Sequence, residues 1–147
     1  MNILSIDPAA QLGWASNQHG KISYGSNSFH NAKWDGAGYR FLKFRKWLEQ
    51  WKDVDLVAYE SVQSHTSTYA AHAYGGWIAV LQAWCEYNDV PYTGVPVGTI
   101  KKFWTGNGSC RKSAMIKEAQ ARGFNPQDDN DADALAILHY AIEHLAI

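Results

Sequence analysis

The chain has 147 residues, 46% of them hydrophobic and 18% charged, with a formal net charge of −1. That length suits one domain over residues 1–147 with a core of its own, and the balance is that of a globule rather than a disordered chain. No apolar run approaches the roughly 18 residues of a membrane helix, so a cytoplasmic protein with no membrane role is expected, and Cys85 and Cys110 are too few for a secreted disulfide framework.

The first thirty residues read as three short strands. Asn2 to Asp7 is an apolar run, Gly13 to Asn17 is extended, and Lys21 to Phe29 alternates loosely after a turn at His19-Gly20. The economical arrangement makes the second and third strands hairpin-linked neighbours flanking a buried first strand. From Gly38 to Trp51 the apolar positions Phe41, Leu42, Phe44, Trp47, Leu48 and Trp51 recur at helical spacing with basic residues between them. Val54 to Glu60 follows as a buried strand, and strand, helix, strand at these lengths implies a parallel crossover.

Tyr69 to Tyr87 is the most apolar helix. Gly75-Gly76 inside it costs up to about 1 kcal/mol per glycine relative to alanine, which suggests close approach by another backbone, from the sheet or a second subunit. Tyr92 to Val95 is a short strand, Val97 to Trp104 one or two helical turns, and Cys110 to about Arg122 a helix stopped by Gly123. The last helix starts at one of the aspartates after Pro126 and buries Leu135, Leu138, Ile142 and Leu145. The pattern is α/β: three antiparallel N-terminal strands and two parallel ones, flanked by helices.

Charge is segregated along this frame. Arg40, Lys43, Arg45, Lys46 and Lys52 face Glu49 alone in one block, and Lys101, Lys102, Arg111, Lys112, Lys117 and Arg122 face Glu118 alone in another. A phosphate backbone senses such blocks because charge attraction decays over roughly 8 Å in physiological salt.

The acids gather at strand and helix ends. Asp7 closes the first strand, Glu60 closes Asp55-Leu56-Val57-Ala58-Tyr59, and Asp128, Asp129, Asp131 and Asp133 open the last helix. On that helix Asp129 lies about 40° from Asp133 and Asn130 about 60° on the other side, whereas Asp131 is displaced by about 200°. Either Asp129 or Asn130 can therefore share a metal with Asp133, and Asp128 and Asp131 read as first-turn acids favoured by the helix dipole. A carboxylate at a buried strand end is costly unless its charge is compensated. Oxygen ligands without histidine or thiolate point to Mg²⁺ or Mn²⁺, and the commonest work of such a pair of ions is in-line displacement at phosphate. The stretch Gly106 to Ser113 puts Arg111 where a nucleotide-binding P-loop needs its second glycine, so no nucleotide cofactor is expected. The histidines lack zinc spacing.

Ile6-Asp7-Pro8 with Gly13-Trp14-Ala15, the strand ending Tyr59-Glu60, Val95 through Lys102, Gly106-Asn107-Gly108, Lys112 and Ala132-Asp133-Ala134-Leu135-Ala136 together resemble the RuvC-type Holliday junction resolvases. The resemblance runs in order over nearly the whole chain, and the Asp-Asp-Asn-Asp-Ala-Asp form of the last motif looks like the bacteriophage or prophage branch. It implies a ribonuclease H-like fold with a five-stranded mixed sheet, a homodimer, and two Mg²⁺ ions held by Asp7, Glu60 and Asp133. The family often carries an acid or histidine where Asn130 stands, leaving Asn130 or Asp129 as the fourth ligand. Lys101 and Lys112 match basic positions beside the scissile phosphate and DNA backbone, with Lys102 and Arg111 adjacent. The implied reaction is two-metal hydrolysis of four-way or other branched DNA, leaving 5′-phosphate and 3′-hydroxyl ends. Arg40, Lys43 and the rest of the basic blocks would hold the arms, and Tyr69 could wedge against an unstacked base.

Overall fold

The computed structural model of the protein describes residues 1–146. Strands β1 (Ile3–Asp7), β2 (Gln11–Gln18) and β3 (Lys21–Ser28) are followed by helix α1 (Tyr39–Leu48), which ends in a 3-10 turn at Glu49–Trp51. Strand β4 (Leu56–Ser61), helix α2 (Thr68–Tyr87), strand β5 (Tyr92–Pro96) and helices α3 (Val97–Thr105), α4 (Lys112–Ala121) and α5 (Asp129–His144) complete the chain. The five strands form one sheet in the order β3-β2-β1-β4-β5, antiparallel from β1 to β3 and parallel from β1 through β4 to β5. The expected parallel crossover through α1 is present.

The period-two alternation of the strands sorts the core into two layers. Leu4 and Ile6 of β1 and Val57 and Tyr59 of β4 pack with Phe44, Leu48, Trp77, Leu81 and Trp84 of α1 and α2. Ile3 of β1 and Leu56 and Ala58 of β4 face the other way, against Ile100 and Trp104 of α3, Met115 of α4 and the buried run Ala134–Leu138 of α5. The Trp104 indole donates to the Met115 carbonyl at 3.1 Å, tying α3 to α4.

Four expectations change. β3 does not flank β1: it pairs with β2 at the sheet edge, because β4 takes the open side of β1. The tight turn between β2 and β3 has both His19 and Gly20 at positive φ, which matches the strand twist and holds them as neighbours. Among the described residues the sheet does not approach Gly75 or Gly76: Gly75 faces open space, and a Cβ on Gly76 would come within 2.6 Å of the Phe41 ring, so the second glycine seats an aromatic from α1. The segment from Val97 forms a nine-residue helix rather than one or two turns. Ile142 lies on the exposed face of α5, where Ala141 takes the buried position instead.

Candidate metal centre

Strand parity decides where the acids point. Asp7 shares its face with Ile3 and Ser5, and Glu60 shares its face with Leu56 and Ala58, so both carboxylates project toward α5. The parallel register pairs Ile6 with Tyr59, so the next residue on each strand sets Asp7 beside Glu60. The buried Ser5 hydroxyl lies 2.6 Å from the Ala134 carbonyl and 3.1 Å from the Ala15 carbonyl, both acceptors within its reach, and this pins α5 one residue past Asp133. As a result Asp7, Glu60 and Asp133 each offer a carboxylate oxygen within 4.8 Å of the others.

Two features fix the start of α5 over the sheet. Asp128 caps the helix, accepting from the amides of Asn130 and Asp131, while the Asp131 carboxylate accepts from the amides of Gln127 and Asp128. Asp131 is only 1% exposed, so it is a buried capping acid that braces the first turn, beyond the dipole role its position suggested. The other feature is Gly13 of β2, directly opposite Asp7 in the register. A Cβ there would collide with the Asn130 carbonyl and lie 3.0 Å from the Asp131 amide, so only glycine lets the helix come down onto the strand. The sequence marks Gly13 as part of a motif but gives no reason for it, since its neighbour lies on the last helix.

The electrostatics carry the cost of this convergence. Burial, followed by repulsion from Glu60, Asp133 and Asp129, pushes the Asp7 carboxyl well above its ordinary value. Burial also pushes Asp133 up to about 8, with Glu60 and Asp129 adding to the shift while Lys101 and Lys112 oppose it. Carboxyls in this condition either hold protons or bind a cation. The donor set is all hard oxygen on rigid strand ends and a capped helix, which fits Mg²⁺ or Mn²⁺.

The remaining predicted residues fall into distinct places. Asp129 stands at the rim, 3.4 Å from the Lys112 ammonium, and its charge reaches both Asp7 and Asp133. Asn130 is fixed through its backbone, by the Asp128 cap and the seat over Gly13. Lys101 in α3 is half-buried and close enough to act on Asp133, whereas Lys102 and Arg111, which flank the Gly106–Ser109 loop in the chain, are exposed. Lys43 donates to the His30 carbonyl at 3.0 Å and so secures the loop before α1. Arg40 packs against the rings of Phe41 and Trp77, and Tyr69, 72% exposed, stands at the start of α2. Among the described residues no helix is long and apolar enough to cross a membrane.

The sequence matches no family model and no curated protein. The fold, by contrast, is shared with solved structures. RuvC of Thermus thermophilus in complex with a Holliday junction substrate superposes with a TM-score of 0.76 at 19% identity, over 94% of this chain and 90% of that one. A second Thermus thermophilus RuvC structure gives 0.74 at 19% identity over 97% and 96%. The yeast mitochondrial Holliday junction resolvase Ydc2 gives 0.65 at 12% identity over 92% and 75%. At these identities the likeness establishes the fold: an α/β, ribonuclease H-like five-stranded mixed sheet flanked by helices.

Proposed function

We propose that this chain is a divalent-metal-dependent endodeoxyribonuclease that resolves four-way DNA junctions by paired nicks. The observation that carries the reading is the convergence of Asp7, Glu60 and Asp133, at a cost that a cation would remove, on a fold shared along most of its length with a resolvase solved on a junction. Asp7, Glu60 and Asp133 hold a pair of Mg²⁺ ions, with Mn²⁺ able to substitute, and Asp129 or the Asn130 amide oxygen completes the set. When bound, the ions supply an activated water and charge compensation at the leaving 3′-oxygen.

The chain's own residues do the rest. Lys101 lies beside the acids and places a positive charge where the phosphate's charge grows during displacement. Lys112, half-committed to Asp129, is free at its exposed end to take a backbone phosphate. Arg111 and Lys102 extend that basic rim, and Arg40 with Tyr69 lies on the opposite side, where α1 and α2 meet.

Two symmetric strands must be cut, so the protein acts as a homodimer in the cytoplasm with one centre per strand. The outer face of α1 and α2 supports this: Leu42 of α1 is 62% exposed, and Tyr87 of α2, 81% exposed, lines a groove with the small residues Ala79 and Ala83. The Asp128–Asp133 motif favours the bacteriophage branch of these enzymes.

A Mg²⁺-dependent nicking assay on four-way, flap and duplex DNA tests the reading. Paired nicks in the four-way junction, absent in EDTA and in Asp7→Asn, are expected, with junction binding retained by the variant. Equal cutting of flaps and forks would redirect the assignment to a general branched-DNA nuclease, and binding without cutting would reduce it to a junction-binding module.

A further inference from the structure

Behind the three acids, one pleat down β1 from Asp7, sits a polar side chain that none of the metal chemistry calls for. Ser5 is fully buried, on the strand face that looks at α5. Its hydroxyl has one proton and two carbonyls in reach: Ala134 of α5 at 2.6 Å, and Ala15, its register partner on β2, at 3.1 Å. The shorter contact takes the proton. A buried hydroxyl is costly without a partner, so this serine is tolerated in the core through the bond it makes to α5.

Among the described residues no other hydrogen bond joins a strand to α5. The rest of the attachment is packing, which is non-directional. Beside Asp133 the buried residues are alanines, Ala132, Ala134 and Ala136, whose methyls let helix and sheet come close but form only shallow ridges. Gly13 admits the helix and makes no bond to it. Asp133 directly precedes Ala134, so the axial position of its carboxylate relative to Asp7 and Glu60 follows from where Ser5 holds its neighbour. A slip of α5 by one residue's rise, about 1.5 Å, is several times the difference between the metal–oxygen distances of Mg²⁺, about 2.0–2.1 Å, and Ca²⁺, about 2.3–2.6 Å.

We propose that Ser5 is a positioning residue: by tying β1 to α5 it keeps the three carboxylates close and stiff enough to favour a small cation, Mg²⁺ or Mn²⁺, over Ca²⁺. This rests on the metal-centre reading above and adds to it the residue that sets the ion preference. Small ions demand a near-ideal oxygen cage, whereas Ca²⁺ tolerates a loose one. Without the hydroxyl Asp133 gains freedom, and the small ion loses more than the large one. The fold itself survives the loss, because the Ala134 carbonyl lies inside α5 and keeps its helical amide partner.

The test needs no DNA and no cleavage: Mn²⁺ and Ca²⁺ are each titrated calorimetrically into wild type, Ser5→Ala, Ser5→Cys and Ser16→Ala. Ser16 is the control, an equally buried serine on β2 whose hydroxyl meets Ser23 of β3, at 3.4 Å. Both alanine variants should melt about 2–6 °C below wild type in EDTA. Ser5→Ala is expected to bind Mn²⁺ roughly tenfold more weakly while its Ca²⁺ affinity changes by less than about threefold, so that the preference narrows. Ser5→Cys, with a weaker donor in the same place, should fall between it and wild type. Ser16→Ala should keep both affinities. Unchanged affinities in Ser5→Ala, equal losses for the two ions, or the same narrowing in Ser16→Ala would overturn the proposal while leaving the metal centre intact. Wild type that binds neither ion would instead defeat the metal-centre reading, and the proposal with it.

Discussion

Replacing Asp133 with asparagine should stabilise the metal-free protein while abolishing its response to metal. The Asp133 carboxyl is pushed from an ordinary 3.8 up to about 8 by burial and by Glu60 and Asp129. Each unit corresponds to about 1.4 kcal/mol, so keeping this acid in the folded chain at pH 8 opposes folding by on the order of 5 kcal/mol. Because the folded value is raised above the unfolded one, stability is present in full below about pH 4 and is lost as pH rises to 8. An asparagine of nearly the same shape removes the ionisation. Allowing for the polar contacts it makes less well, a net gain of about 2 kcal/mol is expected in EDTA at pH 8, or about 4–8 °C in melting temperature for a chain of this size. The gain should vanish as pH falls and turn into a net loss by pH 4, where only the poorer polar contacts of the asparagine remain. In millimolar Mg²⁺ or Mn²⁺ the order inverts, since wild type gains from binding and the variant does not. Thermal melts across pH 4–8, with and without metal, measure all of this. A variant that melts below wild type in EDTA at pH 8, or gains equally at both ends of the range, would refute the reasoning.

Gly13→Ala forces the Asn130 carbonyl away from β2 and should cost roughly 1–3 kcal/mol of stability while sharply reducing nicking, read by thermal melts and the junction assay. Asp131→Ala removes half of the capping box and should lower stability by about 1 kcal/mol or more, yet leave the stoichiometry of bound Mn²⁺ unchanged in calorimetric titration. Lys112→Ala should weaken junction binding for every sequence and reduce the salt slope of the affinity by about one, measured by fluorescence anisotropy from low to moderate salt.

The strands and helices were legible because their apolar residues repeat at two or near 3.6, and because β1 and β4 are almost wholly buried runs. The same alternation placed Asp7 and Glu60 at strand ends, and helical projection separated Asp133 from Asp131. What the sequence hid depends on contacts across long stretches of chain. The place of β3 was set by β4 claiming the open edge of β1, which local hairpin logic does not contain. Gly76 answers to the Phe41 ring from another helix, and Gly13 answers to a carbonyl of α5. Asp131 reads in the sequence as a first-turn acid favoured by the helix dipole because its position on the helical wheel points away from the centre. Its burial follows from turning back to the amides of Gln127 and Asp128. Arg40 belonged, in sequence, to a basic block shared with Lys43; only the fold shows one of them lining a pocket and the other fastening a loop.

The central claim is that Asp7, Glu60 and Asp133 together hold paired divalent ions, and anomalous diffraction from crystals soaked in Mn²⁺ tests it most directly. Two peaks roughly 3.5–4 Å apart, both within coordination distance of these carboxylates, are the predicted result. Density showing the three acids bridged only by lysines or water, with no manganese peak among them, would contradict it.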